Sequence, residues 1–228
     1  LDPSGTLLGY NVGFAEELAD RLNLELQTRS PLFDDLIDTL ERHQCDVSIS
    51  SQNITTDRLS RVEFAAYTES IQPVLVAIGN PREIDSLDDL CGLAVSATTG
   101  TTHVDLVNGS GDFVGQGLNA ACAAAGRQPI DLRTFETESH SVTALLSGDV
   151  AAYMGNPSFA YEFRDQIQYS TATLPEARQG IATARDRPVM GAAVQAALVS
   201  MMADGSYREI LIRNLPNDES VRLVSIVE

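Results

Sequence analysis

Residues 46–58 read Asp46-Val-Ser-Ile-Ser-Ser-Gln-Asn-Ile-Thr-Thr-Asp-Arg58. Val47 and Ile49 alternate with small polar residues, which predicts a buried strand. A short hydroxyl-rich turn follows, and a threonine cap then opens a helix with Arg58 in its first turn. A helix start offers unpaired backbone N–H groups and the positive end of the helix dipole, and a guanidinium offers two parallel donors. Brought together in one short stretch, they suit a small carboxylate.

The flanking sequence sets the fold class. Phe14, Leu18 and Leu22 recur at helical spacing over 9–23, and Leu24-Glu-Leu-Gln-Thr28 alternates as a strand. A helix is predicted over Phe33–Arg42 and a strand over 46–50. Ile71–Ile78 is an extended run broken by Gly79-Asn-Pro81. Beyond it lie a short capped helix (86–90), a strand (93–97), a Thr98–Thr102 turn opening a helix, a strand (130–135), a helix (139–146) and a strand (150–154). A second extended run (180–184) leads to helices 188–203 and 207–213 and a last strand, Val221–Val227. Strand–helix alternation predicts an α/β fold with a mainly parallel sheet. Two such blocks joined by extended crossings near 75–81 and 178–184 imply two lobes, the middle block continuous and the outer one built from both chain ends. A clamshell of this kind places its ligand between the lobes.

The bulk properties narrow the class of partner. The 228 residues carry a formal net charge of −17, and all fifteen basic residues are arginine. There is no basic stripe, which argues against nucleic acid. No apolar run approaches the roughly 18 residues of a membrane helix. The three cysteines (Cys45, Cys91, Cys122) and three histidines lack metal-ligand spacing, and nothing calls for a cofactor. Cys45, beside the strand at Val47, reads as a buried, inert thiol. Cys91 and Cys122 flank a strand and a helix that would pack together, and spacing alone leaves them either bridged or free.

Several of these stretches resemble one family. Gly9-Tyr-Asn-Val-Gly-Phe-Ala-Glu-Glu-Leu, Phe33-Asp-Asp-Leu-Ile, Ile54-Thr-Thr-Asp-Arg58 with Val62-Glu-Phe64, Leu87-Asp-Asp-Leu-Cys-Gly92, Gly100-Thr-Thr102 and Leu145-Leu-Ser-Gly-Asp-Val150 are similar to landmarks of the extracytoplasmic solute-binding proteins of family 3, the receptors of amino-acid ABC importers. The T-x-x-R…V-x-F motif is the most specific, and the likeness covers nearly the whole chain. It implies a type II periplasmic-binding-protein clamshell with an outer lobe of residues 1–78 and 181–228 and an inner lobe of 79–180. It implies a Cys91–Cys122 disulfide, as in a subgroup with paired cysteines. It further implies a monomer outside the cytoplasm, in the periplasm or lipid-anchored at the cell surface, that hands a small-molecule carboxylate to a membrane permease. Relatives begin with a strand that precedes Leu1 here, so the outer lobe is expected to lack it.

Carried over residue by residue, the resemblance makes Arg58 the clamp for a ligand carboxylate. The bland alternative is a surface arginine paired with Asp57 or Glu63. Ser51 and Asn53 stand beside the same ligand end, or simply form the turn; Ser50 joins them or points into the sheet. Gly100, Thr101 and Thr102 close from the other lobe, or serve only as a helix cap. Thr98 and His103 flank them. Phe33 packs over the ligand or belongs to the core. The family's aspartate for the ligand ammonium is replaced by Asn156, so either another acid (Glu136 or Glu138) supplies the charge or the ligand is not an ordinary α-amino acid.

Three functions compete. A binding protein for an importer needs only the clamp. A dehydratase on the same fold needs a poised acid in the cleft, which Asn156 removes from the obvious position. A sensor domain would require an attached membrane segment. The binding protein, not an enzyme, fits these residues best.

Overall fold

The computed structural model describes residues 7–214 and 221–223. Its elements are α1 (Tyr10–Leu22), α2 (Leu36–Glu41, entered through a 3-10 turn at Phe33–Asp35), β1 (Val47–Asn53), α3 (Thr56–Arg61), β2 (Val62–Ala77), β3 (Ala94–Thr98), α4 (Thr102–Asn108), α5 (Leu118–Ala124), β4 (Asp131–Phe135), α6 (Glu138–Leu146), β5 (Ala152–Met154), α7 (Ser158–Glu162), β6 (Ile167–Ala184), α8 (Pro188–Asp204), α9 (Ser206–Asn214) and β7 (Val221–Leu223).

Local chemistry explains the boundaries. Phe14 and Leu18, four apart on α1, are buried, and Asn23 ends that helix in the left-handed conformation. Thr55 and Thr137 cap α3 and α6 by accepting the Arg58 and His140 amides. Pro188 opens α8, and Gly205 closes it at φ 90°.

The strands form one mixed sheet in the order β1-β6-β2-β5-β3-β4, with β7 also on β2. Among the described strands only β3–β4 and β3–β5 are parallel. The other pairings are antiparallel, which corrects the mainly parallel expectation. The cause is the length of β2 and β6. Each continues well past the short extended runs seen in sequence, and they run in opposite directions against one another, Val62 facing Ala184 and Ala77 facing Ile167. Alternation near their ends was readable, but residues 167–179 mix Gln, Ser, Thr, Glu and Arg with apolar residues and do not announce a strand.

The segment 24–28 is not a strand. Leu24 and Leu26 are exposed, and β1, the element they would have to join, pairs only with β6 among the described strands. Without a neighbour to share hydrogen bonds, period-two alternation alone does not hold a strand. The end of the expected last strand, 224–227, and the opening residues Leu1–Gly5 lie outside the described residues.

The apolar core gathers at the two ends of the β2–β6 pair. At one end Phe14, Tyr67, Ile181, Leu198 and Met201 pack between α1, α8 and the sheet, with Leu40 and Val62 beside them. At the other, Val76, Leu90, Val95, Val107 and Met154 form one group and Leu75, Val142, Leu145 and Tyr153 a second. Cys91 and Cys122 are joined across the larger of these groups, with Cα atoms 5.6 Å apart. Cys45 is half-buried rather than buried, since it edges the small Leu40 group instead of entering it.

Candidate functional site

Between these two packed ends, the start of α3 meets the turn 98–102. β1 delivers Asn53, and the capped first turn of α3 directs Arg58 inward. Arg58 is 8% exposed. It donates to the Asn53 carbonyl at 2.8 Å and to the Gly100 carbonyl at 2.9 Å, and its guanidinium lies 5.5 Å from the centre of the Phe33 ring. Among the described residues no carboxylate comes within ion-pair distance of it, so pairing with Asp57 or Glu63 does not occur. Burial lowers its pKa, while Asp105, Asp57, Asp34 and Asp112 oppose that from farther away. Phe33 is half-buried over the guanidinium and is not a core residue.

The opposing turn is built for close approach. Gly100 adopts φ +76°, and a Cβ placed there would lie 2.3 Å from Asp34 Oδ1 and 2.9 Å from Asp34 Cα. Thr101 caps α4 by position only; its hydroxyl donates 2.6 Å to the Thr98 carbonyl. Thr102 Oγ1 accepts from Asn53 Nδ2 at 2.6 Å, which ties the two sides together. From the next loop, Asp112 accepts the Thr56 amide at 2.9 and 3.2 Å, holding the N-terminus of α3. A cavity of about 500 Å³ opens here, lined by Phe33, Asp34, Arg58, Thr101, Thr102, Asp105 and Asp112 among others.

A buried polar chain runs beneath this contact. Asn53 Oδ1 accepts from Gln72 Nε2 at 3.4 Å, and Gln72 Oε1 pairs with His103 Nε2 at 3.1 Å. Since the Gln72 oxygen only accepts, His103 carries its proton on Nε2, and Nδ1 is an acceptor. That Nδ1 is the buried side-chain nitrogen or oxygen left without a hydrogen-bond partner among the described residues. Burial, then the Arg58 charge, pushes the His103 pKa down to about 4.

The other expected residues fall into two places. Ser51, at φ 51°, turns its hydroxyl to Tyr10 (2.6 Å) and Asn11 (3.1 Å), and its amide donates to Tyr67 Oη at 3.1 Å. Ser50 is half-buried beside it on β1. Thr98 ends β3, and Asn156 follows two residues after the end of β5. Thr98 Oγ1 is 3.1 Å from Ser141 Oγ. Asn156 Oδ1 accepts from the Ser158 amide and hydroxyl, and its Nδ2 donates 3.4 Å to Glu138 Oε2. Gln72, Asp34 and Asp112 went unsuspected in the sequence. A glutamine inside a strand and aspartates at turns are ordinary surface residues until the chain folds over them.

The profile of the bacterial extracellular solute-binding proteins, family 3, matches residues 1–216. The chain belongs to that family. Among relatives of this solute-binding protein, the L-cystine-binding protein TcyJ of Escherichia coli is 25% identical over 211 residues, covering 90% of this chain and 73% of its own. The lysine/arginine/ornithine-binding periplasmic protein of Escherichia coli is 25% identical over 219 residues, covering 90% and 78%. An ancestral arginine-binding protein bound to arginine superposes with a TM-score of 0.80 at 24% identity, over 94% of this chain and 91% of that one. The fold of this solute-binding protein is therefore the two-lobed α/β clamshell. β2 and β6 are its two extended crossings.

Proposed function

We propose that this solute-binding protein captures an amino acid or a close derivative between its lobes for an ABC importer, with Arg58 holding the ligand carboxylate. The observation that carries the reading is the state of Arg58: a buried cation whose hydrogen bonds go to two neutral carbonyls and to no acid. A carboxylate in place of the Gly100 carbonyl would exchange a neutral partner for a charged, two-pronged one and offset the cost of burying the guanidinium. Asn53, Thr101 and Thr102 surround that position from both sides and Phe33 roofs it; Ser50 and Ser51 support it from β1, where Ser51 braces Tyr10 and Asn11, and Thr98 and Asn156 would contribute from the ends of β3 and β5.

The division into an outer lobe of 1–78 and 181–228 and an inner lobe of 79–180 follows the separation of the apolar groups at the two ends of β2 and β6. The named relatives are binding proteins, which favours a receptor over an enzyme. A monomer that docks on a membrane permease, outside the cytoplasm, is the arrangement this reading entails.

Titration calorimetry against L-arginine, L-lysine, L-histidine, L-glutamine and L-cystine tests it. Stoichiometric heat with one of them, lost in Arg58→Met, is the expected result. Equal affinity in the wild type and Arg58→Met would remove the carboxylate clamp.

A further inference from the structure

We propose that Glu138 is the residue that receives the cationic end of the ligand, with Asn156 positioning its carboxylate. This rests on the reading of Arg58 as the carboxylate clamp.

β3, β4 and β5 are parallel neighbours, with Thr98 level with Phe135 and Ala97 level with Met154. Their carboxyl ends therefore come out together: Thr98 ends β3, Glu138 comes three residues after β4 and Asn156 two residues after β5. The crevice beyond the carboxyl ends of parallel strands is where open α/β sheets receive ligands. The turn leaving β3 is the one whose Gly100 carbonyl Arg58 reaches. Arg58 thus reaches the turn that leaves β3, while Glu138 opens the helix after the strand paired with β3, a juxtaposition of guanidinium and carboxylate at one sheet edge that suits the two ends of a zwitterion.

Glu138 has the chemistry for that role. It is half-buried and makes no ion pair with any described residue; its contact is the 3.4 Å approach of the Asn156 amide. That amide is held by its own oxygen, which accepts from Ser158 twice, so its NH₂ is aimed rather than free to turn. Burial raises the Glu138 pKa even though the residue opens α6, where a helix start would favour the charged form. A carboxylate left in that condition is stabilised by an incoming ammonium or guanidinium. Glu136, the other acid near this edge, is exposed.

The test compares wild type, Glu138→Gln, Glu138→Asp and Arg58→Met by calorimetry. The probes are the amino acids named above and, for the one that binds, the same acid lacking its α-amino group. Glu138→Gln is expected to weaken the amino acid about 10- to 100-fold, with partial recovery in Glu138→Asp. The deaminated acid is expected to bind wild type and Glu138→Gln alike, which shows that the cleft still forms. Glu138→Gln binding the amino acid within about threefold of wild type while Arg58→Met abolishes it would overturn the role of Glu138 and leave the clamp standing. Undiminished binding by Arg58→Met would overturn the clamp and this inference together, as would a wild type that binds none of the five.

Discussion

The Arg58 guanidinium donates 2.9 Å to the carbonyl of Gly100, 42 residues away and on the far side of the cleft. One hydrogen bond thus reports both the burial of the cation and the approach of the two halves. Lysine at position 58 keeps the charge but loses the planar fork that serves Asn53 and an incoming carboxylate together. Arg58→Lys is expected to raise the dissociation constant at least 10-fold, about 1.4 kcal/mol, with a smaller effect on thermal stability. Calorimetry and a melting curve on the same sample separate the two.

Gly100 is the glycine whose replacement should cost most at the cleft. Its φ of +76° disfavours any side chain, and a methyl group would collide with Asp34. Gly100→Ala is expected to destabilise the closed arrangement by about 1–3 kcal/mol through strain and steric overlap. Small-angle scattering should show a larger radius of gyration without ligand. An unchanged radius and melting temperature would mean that the 33–34 turn yields instead.

The Cys91–Cys122 bridge closes a loop with a sequence separation of 31. In the chain-entropy description a loop of this size contributes about 3.7 kcal/mol. The double Cys→Ala variant should lose stability of that order in denaturant unfolding, with the loss concentrated in the Leu90–Val107 core that the bridge spans.

The motif at 46–58 disclosed its strand, cap and arginine because each is a local effect: alternation, a hydroxyl before a helix, a charge in a first turn. Most helices read well for the same reason, α1 from Phe14 and Leu18 and α8 from its proline and glycine ends, while the short α7 (158–162) carries no such local signal and was not foreseen. Long β2 and β6 were half hidden, since their polar stretches gain order only by pairing with each other across about a hundred residues of chain. Leu24–Thr28 showed the converse, a local pattern with no strand beside it. At the site, Arg58 and Gly100 were legible, but Gln72 under Asn53 was not, because a buried amide chain is a property of the folded contact and not of any one segment.

The burial of His103 beside the Arg58 charge makes the protein acid-sensitive in a stated direction. His103 is held neutral, with its pKa near 4 in the fold against 6.5 when exposed. Between those values the unfolded chain takes up a proton that the native state refuses, so stability falls as pH drops from about 6.5 toward 4 and levels off below. The loss expected from this residue alone is on the order of 3 kcal/mol. His103→Gln has no such proton to take up and should flatten that limb, at the cost of some stability near neutrality. Urea unfolding of both proteins at several pH values from 4 to 8 provides the check. Parallel curves for the two would show that the acid limb arises from other groups and that His103 is not the buried neutral base its contacts describe.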